Sequence, residues 1–200
     1  MSNSIIPIFP LSGVIVFPDT DLPLNIFEPR YIEMIDYSLS TDKLIGIIQP
    51  LKKNNLYEYG CIGKITNFNE TKDGRYIISL QGLNLFTPKN EVFKNTKFRL
   101  FEVEKHENIA ENKFIEENFN KISLIEKFKK FCKLNDSTAD LNIIKSIESR
   151  DLIKLVAMVS PFNSAEKQML LETKGLNELS ENIISLFEFY DIKSPNQRMN

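Results

Sequence analysis

The stretch IIPIFPLSGVIVFPDTDLPLNIFEPRY, residues 5–31, limits the fold more than any other part of the chain. It is apolar, yet prolines stand at positions 7, 10, 18, 23 and 29. Each proline removes an N–H donor and clashes with the turn before it, so no helix runs through most of this stretch and it must be extended. Leu22, Leu24 and Ile26 alternate with Pro23, Asn25 and Phe27, the period of two that sends successive side chains to opposite sheet faces. Pro23 has no N–H to give a central ladder, which puts the strand at an edge or a bulge. Asp19-Thr20-Asp21 reads as the turn into it. Pro29 suits the first position of a helix, and Glu28 brings a carboxylate near that helix's positive end. Ile32, Ile35 and Leu39, with Tyr31 beside them, give the helix its apolar face.

The rest of the first half also reads as β. Residues 44–49 form a short apolar run ended by Pro50, as expected of a buried strand, and 52–55 form a polar loop. Residues 57–68 follow as a strand in which Gly60 and Gly63 mark a bend or bulge. Asp73-Gly74 supplies the positive φ angles of a hairpin turn leading into a strand over 76–83. Phe98, Leu100, Phe101 and Val103 give the last strand. Short strands separated by turns predict a closed or nearly closed barrel.

After Lys113 the period changes from two to 3.6. Ile115, Phe119, Ile122, Ile125 and Phe128 predict an amphipathic helix running to about Leu134, with Asp136-Ser137-Thr138 as its break and the next cap. Helical patterns continue over 141–147 and 152–159 until Pro161 stops them. Asn163 with Glu166 forms a capping box, Leu170 and Leu171 face inward, and Gly175 is the stop. Leu176, Leu179, Ile183, Leu186 and Tyr190 then stripe a final helix. The reading is α+β: a β-barrel subdomain with one short helix over 1–105, a connector over 106–113, an α-helical bundle over 114–193 and a mobile tail over 194–200.

Two hundred residues suffice for a proper core without staples. A net charge of −2 gives no basic footprint for nucleic acid. The two cysteines, Cys61 and Cys132, have no CxxC spacing and His106 is the single histidine, so no metal site is expected. The thiols read as unpaired ones in a reducing cytoplasm. No stretch approaches a membrane span, and the prolines in the first apolar run exclude a signal peptide.

Phosphate-loop chemistry has no support either. Gly63-Lys64 is the single Gly-Lys pair, Ile65 stands where a hydroxyl is needed, and Glu58 replaces the first glycine. No GxSxG, HExxH or GxGxxG pattern occurs. His106 lies in a charged connector with no patterned nucleophile nearby and reads as a solvated histidine. Ser12-Gly13 reads as a turn. No cofactor and no enzymatic activity are expected.

The run PIFPLSGVIVFPDTDLPLNIFEPRYIEMI resembles the start of the Lon protease amino-terminal, substrate-binding domain. Residues 56–68, Asp73-Gly74-Arg75-Tyr76, Leu80-Gln81-Gly82 and AMVSPFNSAEKQMLL extend the resemblance over most of the chain. Asn25, where such sequences often carry His, and Leu85, where Arg is common, depart from it. The resemblance implies a PUA-like barrel in a stand-alone, non-catalytic, cytoplasmic protein of protein quality control. It would bind unfolded or damaged polypeptides, or a protease or chaperone partner. Phe17, Phe27 and Tyr31 are the candidate polypeptide-binding residues, at the edge strand where an extended peptide can add, with burial in the core as their other reading. An RNA-binding PUA-like module, disfavoured by the charge, and a hydrolase using His106 beside a Ser or Cys are the rival functions.

Overall fold

The computed structural model describes residues 4–106, 114–134 and 141–193. Residues 107–113 of the connector, the cap expected at Asp136-Ser137-Thr138 and the 194–200 tail lie outside the described residues. The chain is mixed α+β and divides into two compact units, one of residues 1–108 with 162–171, the other of 109–161 with 172–200.

In the first unit, β1 (Ser4–Pro10), β2 (Asp21–Ile26), α1 (Pro29–Leu39), β3 (Leu44–Ile48), β4 (Gly60–Glu70), β5 (Tyr76–Val92) and β6 (Arg99–Lys105) follow in chain order. The strands form one sheet in the order β2-β5-β4-β3-β1-β6. β1 and β3 pair in parallel, because β2 and α1 intervene as the crossover that a parallel pair requires. The other ladders are antiparallel. β5 runs for 17 residues, well past the predicted end at 83. Its first part pairs with β2 and β4, and its part from Phe86 to Val92 pairs with β6. The bend expected at the glycines of β4 is there, as a register shift between Ile62 and Gly63.

The hairpin turn differs from expectation. Only Gly74, at φ +77°, takes a positive angle, and Asp73 does not. The Gly74 N–H donates to the Thr71 carbonyl at 2.9 Å and the Thr71 N–H to Arg75 at 2.8 Å. An Asp-Gly pair also suits this longer loop, in which a type I turn ends on a left-handed glycine.

Ile35, Met34 and Tyr31 of α1 enter an apolar cluster with Ile26, Ile45, Ile65, Ile78 and Leu80. A second cluster gathers Ile8, Ile48, Ile62 and Val103 around Phe86.

The second unit contains α2 (Lys121–Leu134), α3 (Leu141–Ser146) and α4 (Ser149–Val159). α2 starts later than the stripe from Ile115 predicted. Glu116–Asn118 forms a 3-10 turn, and Asn120 caps α2 by accepting the Ser123 N–H at 2.9 Å, as Asn does when its side chain outcompetes the preceding backbone. α5 (Ser164–Leu171) belongs to the first unit, and α6 (Leu176–Lys193) returns to the second after Gly175 at φ +120°. α6 packs on α2 through Phe187, whose ring lies 4.9 Å from Phe131, and Lys127 pairs with Glu188 at 2.7 Å.

The capping box is formed as expected. The Asn163 N–H donates to Glu166 at 2.9 Å, and the Glu166 N–H to Asn163 Oδ1 at 3.0 Å. What the helical pattern does not carry is the company of α5, read as part of the 114–193 bundle. Gln168 Nε2 donates to the Tyr59 carbonyl at 3.0 Å. Gln49 Nε2 donates to Gln168 Oε1 at 3.1 Å and to the Ser164 carbonyl at 2.8 Å. Both glutamines are buried, and buried amides need such partners. Their bonds group 162–171 with the strands.

Candidate functional site

The turn before β2 is built from its own side chains. Thr20 Oγ1 donates to the Phe17 carbonyl at 2.7 Å. The Asp19 N–H donates to Gly82 at 2.9 Å, and Gly82 returns a bond to Thr20 at 2.8 Å. A Cβ at position 82 would stand 2.1 Å from the Phe17 carbonyl oxygen, so only glycine admits this approach.

β2 then runs along the edge of the sheet, as Pro23 required. Along it Leu22 and Leu24 are half-buried and Ile26 is buried, while Asp21, Pro23 and Asn25 are exposed. At its end the chain turns a corner into α1. Pro29 takes the first turn of that helix, and Glu28 makes no side-chain bond to its amides. The Glu28 carboxylate instead accepts from Arg30 Nε at 3.0 Å and Nη2 at 2.8 Å. The guanidinium lies 4.5 Å from the Tyr31 ring centroid.

Phe9, Leu11, Leu24, Ile26, Phe27 and Tyr31 line a pocket at this corner of about 220 Å³, together with Pro10, Asn25, Glu28 and Arg30. Tyr31 and Phe9 meet at 4.2 Å between ring centroids. Burial pushes the Tyr31 phenol above its ordinary range. Phe27 is different: 62% of it is exposed. The Tyr76 hydroxyl of β5 donates to Asp36 of α1 at 2.8 Å. That bond, with burial, pushes its phenol up to about 12.

Of the three predicted residues, Phe27 and Tyr31 are brought together, Tyr31 within the wall and Phe27 at the open side. Phe17 is not in the pocket, and its side chain is 6% exposed, so it takes the core alternative. Sequence reasoning did not join Phe9 and Leu11 to this site. The signal available was the proline-framed end of β1, but nothing local says that it meets the β2–α1 corner.

His106 Nε2 lies 2.7 Å from Thr87 Oγ1, and its ring is 5.4 Å from Tyr59. Its polar neighbour is thus a mid-strand threonine, where the hydrolase reading called for a Ser or Cys. Cys61 and Cys132 are buried, and no disulfide joins them. Among the described residues no group of three or more His, Cys, Asp or Glu side chains is placed to hold a metal ion. None of the described helices is long and apolar enough to cross a membrane.

The family model of the ATP-dependent protease La (LON) substrate-binding domain matches residues 5–188. A Lon protease of Buchnera aphidicola subsp. Acyrthosiphon pisum is 26% identical over 196 residues, covering 92% of this chain and 25% of that protein. The Lon protease of Escherichia coli K12 is 24% identical over 202 residues, covering 92% of this chain and 24% of that protein. The chain therefore spans about a quarter of the length of these relatives. Among solved structures, the Lon N-terminal domain protein from Xanthomonas campestris superposes with a TM-score of 0.65 at 18% identity, covering 91% of this chain and 98% of that one. The N-terminal domain of Mycobacterium avium complex Lon protease does so with a TM-score of 0.66 at 17% identity, covering 92% and 98%.

Proposed function

This chain belongs to the LON substrate-binding domain family, and from that premise we propose that it binds unfolded or damaged polypeptides at the β2–α1 corner, acting by recognition and not by catalysis. The observation that carries the reading is Phe27, a large apolar side chain 62% exposed at the end of an edge strand and at the mouth of an apolar pocket. Burying a phenylalanine is worth roughly 1.5–3 kcal/mol, and the fold leaves most of that gain to a partner. The edge beside it offers main-chain groups to an extended peptide, the strand-addition mode of recognition. A protease partner to which bound polypeptide passes fits the names of the relatives.

The scaffold for this site is read as a PUA-like barrel. In support, the ladders run from β5 through β4, β3, β1 and β6 and return to β5, leaving β2 as the strand outside that round of pairings.

The test is binding of a labelled, permanently unfolded protein, followed by fluorescence anisotropy. Phe27→Ser is expected to weaken binding about tenfold or more, as loss of an aromatic anchor does, with an unchanged melting temperature. If the folded wild-type chain binds no unfolded polypeptide, or the variant binds equally well, the reading fails.

A further inference from the structure

The corner carries a charge pattern that the apolar pocket alone does not explain. Residues 19–36, which build the edge strand and the helix beside the pocket, hold five acids, Asp19, Asp21, Glu28, Glu33 and Asp36, against the single base Arg30. Five acids less one base leave this segment at a net −4, where the whole chain is at −2. Arg30 is committed to Glu28, Lys97 reaches Glu33 at 3.5 Å, and Asp36 accepts from Tyr76. Among the described residues Asp19 and Asp21 form no ion pair and are exposed. The nearest cation across the ladder from Asp21 is Lys64, two strands away through Gln81.

We propose that the site selects extended basic segments among unfolded polypeptides, seating an apolar side chain in the corner pocket and a lysine or arginine against Asp19 and Asp21. This rests on the polypeptide-binding reading above and names the class of segment that the site takes. The spacing follows from strand geometry. From Asp21 to Phe27 is about 20 Å of extended chain, so anchor and base stand roughly five or six residues apart on the ligand. Pro23 lies between these two points. On an edge strand its missing N–H belongs to the solvent side, so mid-strand pairing is weakened and the two ends carry recognition. Opposite charges across such a surface set preference among partners more than they set raw affinity.

Unstructured peptides of about twelve residues test this. Each carries one leucine or phenylalanine anchor with lysine, alanine or glutamate five or six positions away, in both chain orders. At low salt the lysine peptides are expected to bind about two- to fivefold more tightly than the glutamate ones, the size that exposed ion pairs allow. The gap should close in 1 M salt, where screening acts within about 3 Å, and in the Asp19→Asn/Asp21→Asn double variant, whose fold is checked by circular dichroism. Equal affinity for all three peptides, with dependence on Phe27 retained, overturns the charge selection and leaves the polypeptide-binding reading standing. A lysine preference that survives in the double variant also overturns it. Absence of binding by every peptide and by an unfolded protein alike sinks both.

Discussion

The β2–α1 corner and helix α5 are two short elements of the same unit, each begun by a local sequence signal, and they finish in opposite ways. At the corner, Pro29 starts a helix without a side-chain cap, Glu28 turns to Arg30, and Phe27 is left 62% exposed. At α5, Asn163 and Glu166 close both ends of a capping box, and Gln168, almost fully buried, has both ends of its amide bonded. The first leaves apolar surface uncovered, and the second covers polar surface and satisfies it. A chain under selection for stability alone would avoid the first arrangement, since exposed aromatic area forgoes burial energy. Satisfied buried amides, by contrast, rigidify the place where they occur. The corner is therefore the better candidate for meeting a partner, and α5 the better candidate for holding the unit together.

The largest effect that can break this contrast lies just upstream of the corner. Phe17 is buried and its carbonyl approaches Gly82, so Phe17→Ser is expected to cost roughly 3–5 kcal/mol, as truncation of a core phenylalanine does. That is a large share of a typical total stability. Urea denaturation measures it. A loss below about 1 kcal/mol would mean that Phe17 resembles Phe27 in kind, and that the binding surface extends back through the turn.

At α5 a smaller loss is expected. Gln168→Leu keeps most of the volume but removes the acceptor of Gln49 Nε2 and the donor to the Tyr59 carbonyl. Unsatisfied buried groups cost roughly 1–3 kcal/mol. Gln49 keeps its bond to the Ser164 carbonyl and accepts the Gly13 N–H at 3.0 Å, which argues for the lower part of that range. Binding of unfolded polypeptide should be unchanged in this variant under native conditions. If binding falls while the fold persists, α5 takes part in the site and the two regions are not separate in role.

How much of this was legible in the sequence follows from where the constraints are local. The edge position of β2, the Pro29 corner, the bulge at Gly63 and the capping box at Asn163 each depend on a few consecutive residues, and each is found. The aromatic candidates divided because alternation assigns a face only within a strand. The alternation along β2 sets Phe27 opposite the buried Ile26, whereas Phe17 lies in the turn before the strand, where period two does not apply. The late start of α2 was missed because Asn120 caps from within an apolar stripe that looks continuous. The attachment of α5 depends on Gln49 and Tyr59, more than a hundred residues earlier, and on polar groups that no hydrophobic pattern registers. Phe9 joins the pocket for the same nonlocal reason.

The smallest effect, and the one that sharpens the comparison most, concerns how α1 is held beside the corner. Tyr76 on β5 donates to Asp36 on α1, a single bond between the strand that pairs with β2 and the helix that carries Tyr31. Asp36 is exposed and can turn to water when the donor is lost, so Tyr76→Phe should cost only about 0.5–1.5 kcal/mol. The bond also predicts a pH dependence. The folded phenol is pushed up to about 12, first by that hydrogen bond and then by burial, whereas an unfolded tyrosine ionises near 10. Its contribution is therefore fully present below about pH 10 and lost as the pH rises through about 12. Tyr31, raised by burial, adds to the same alkaline loss, so the wild type must be compared with Tyr76→Phe rather than read alone. The difference in urea stability between the two proteins should be constant up to about pH 10 and shrink above it. Peptide affinity at neutral pH completes the test. If Tyr76→Phe binds as the wild type does, the pocket is held by its own apolar wall. If affinity drops severalfold with stability nearly intact, the placement of α1 is part of recognition, and the corner owes its shape to a polar bond as α5 does.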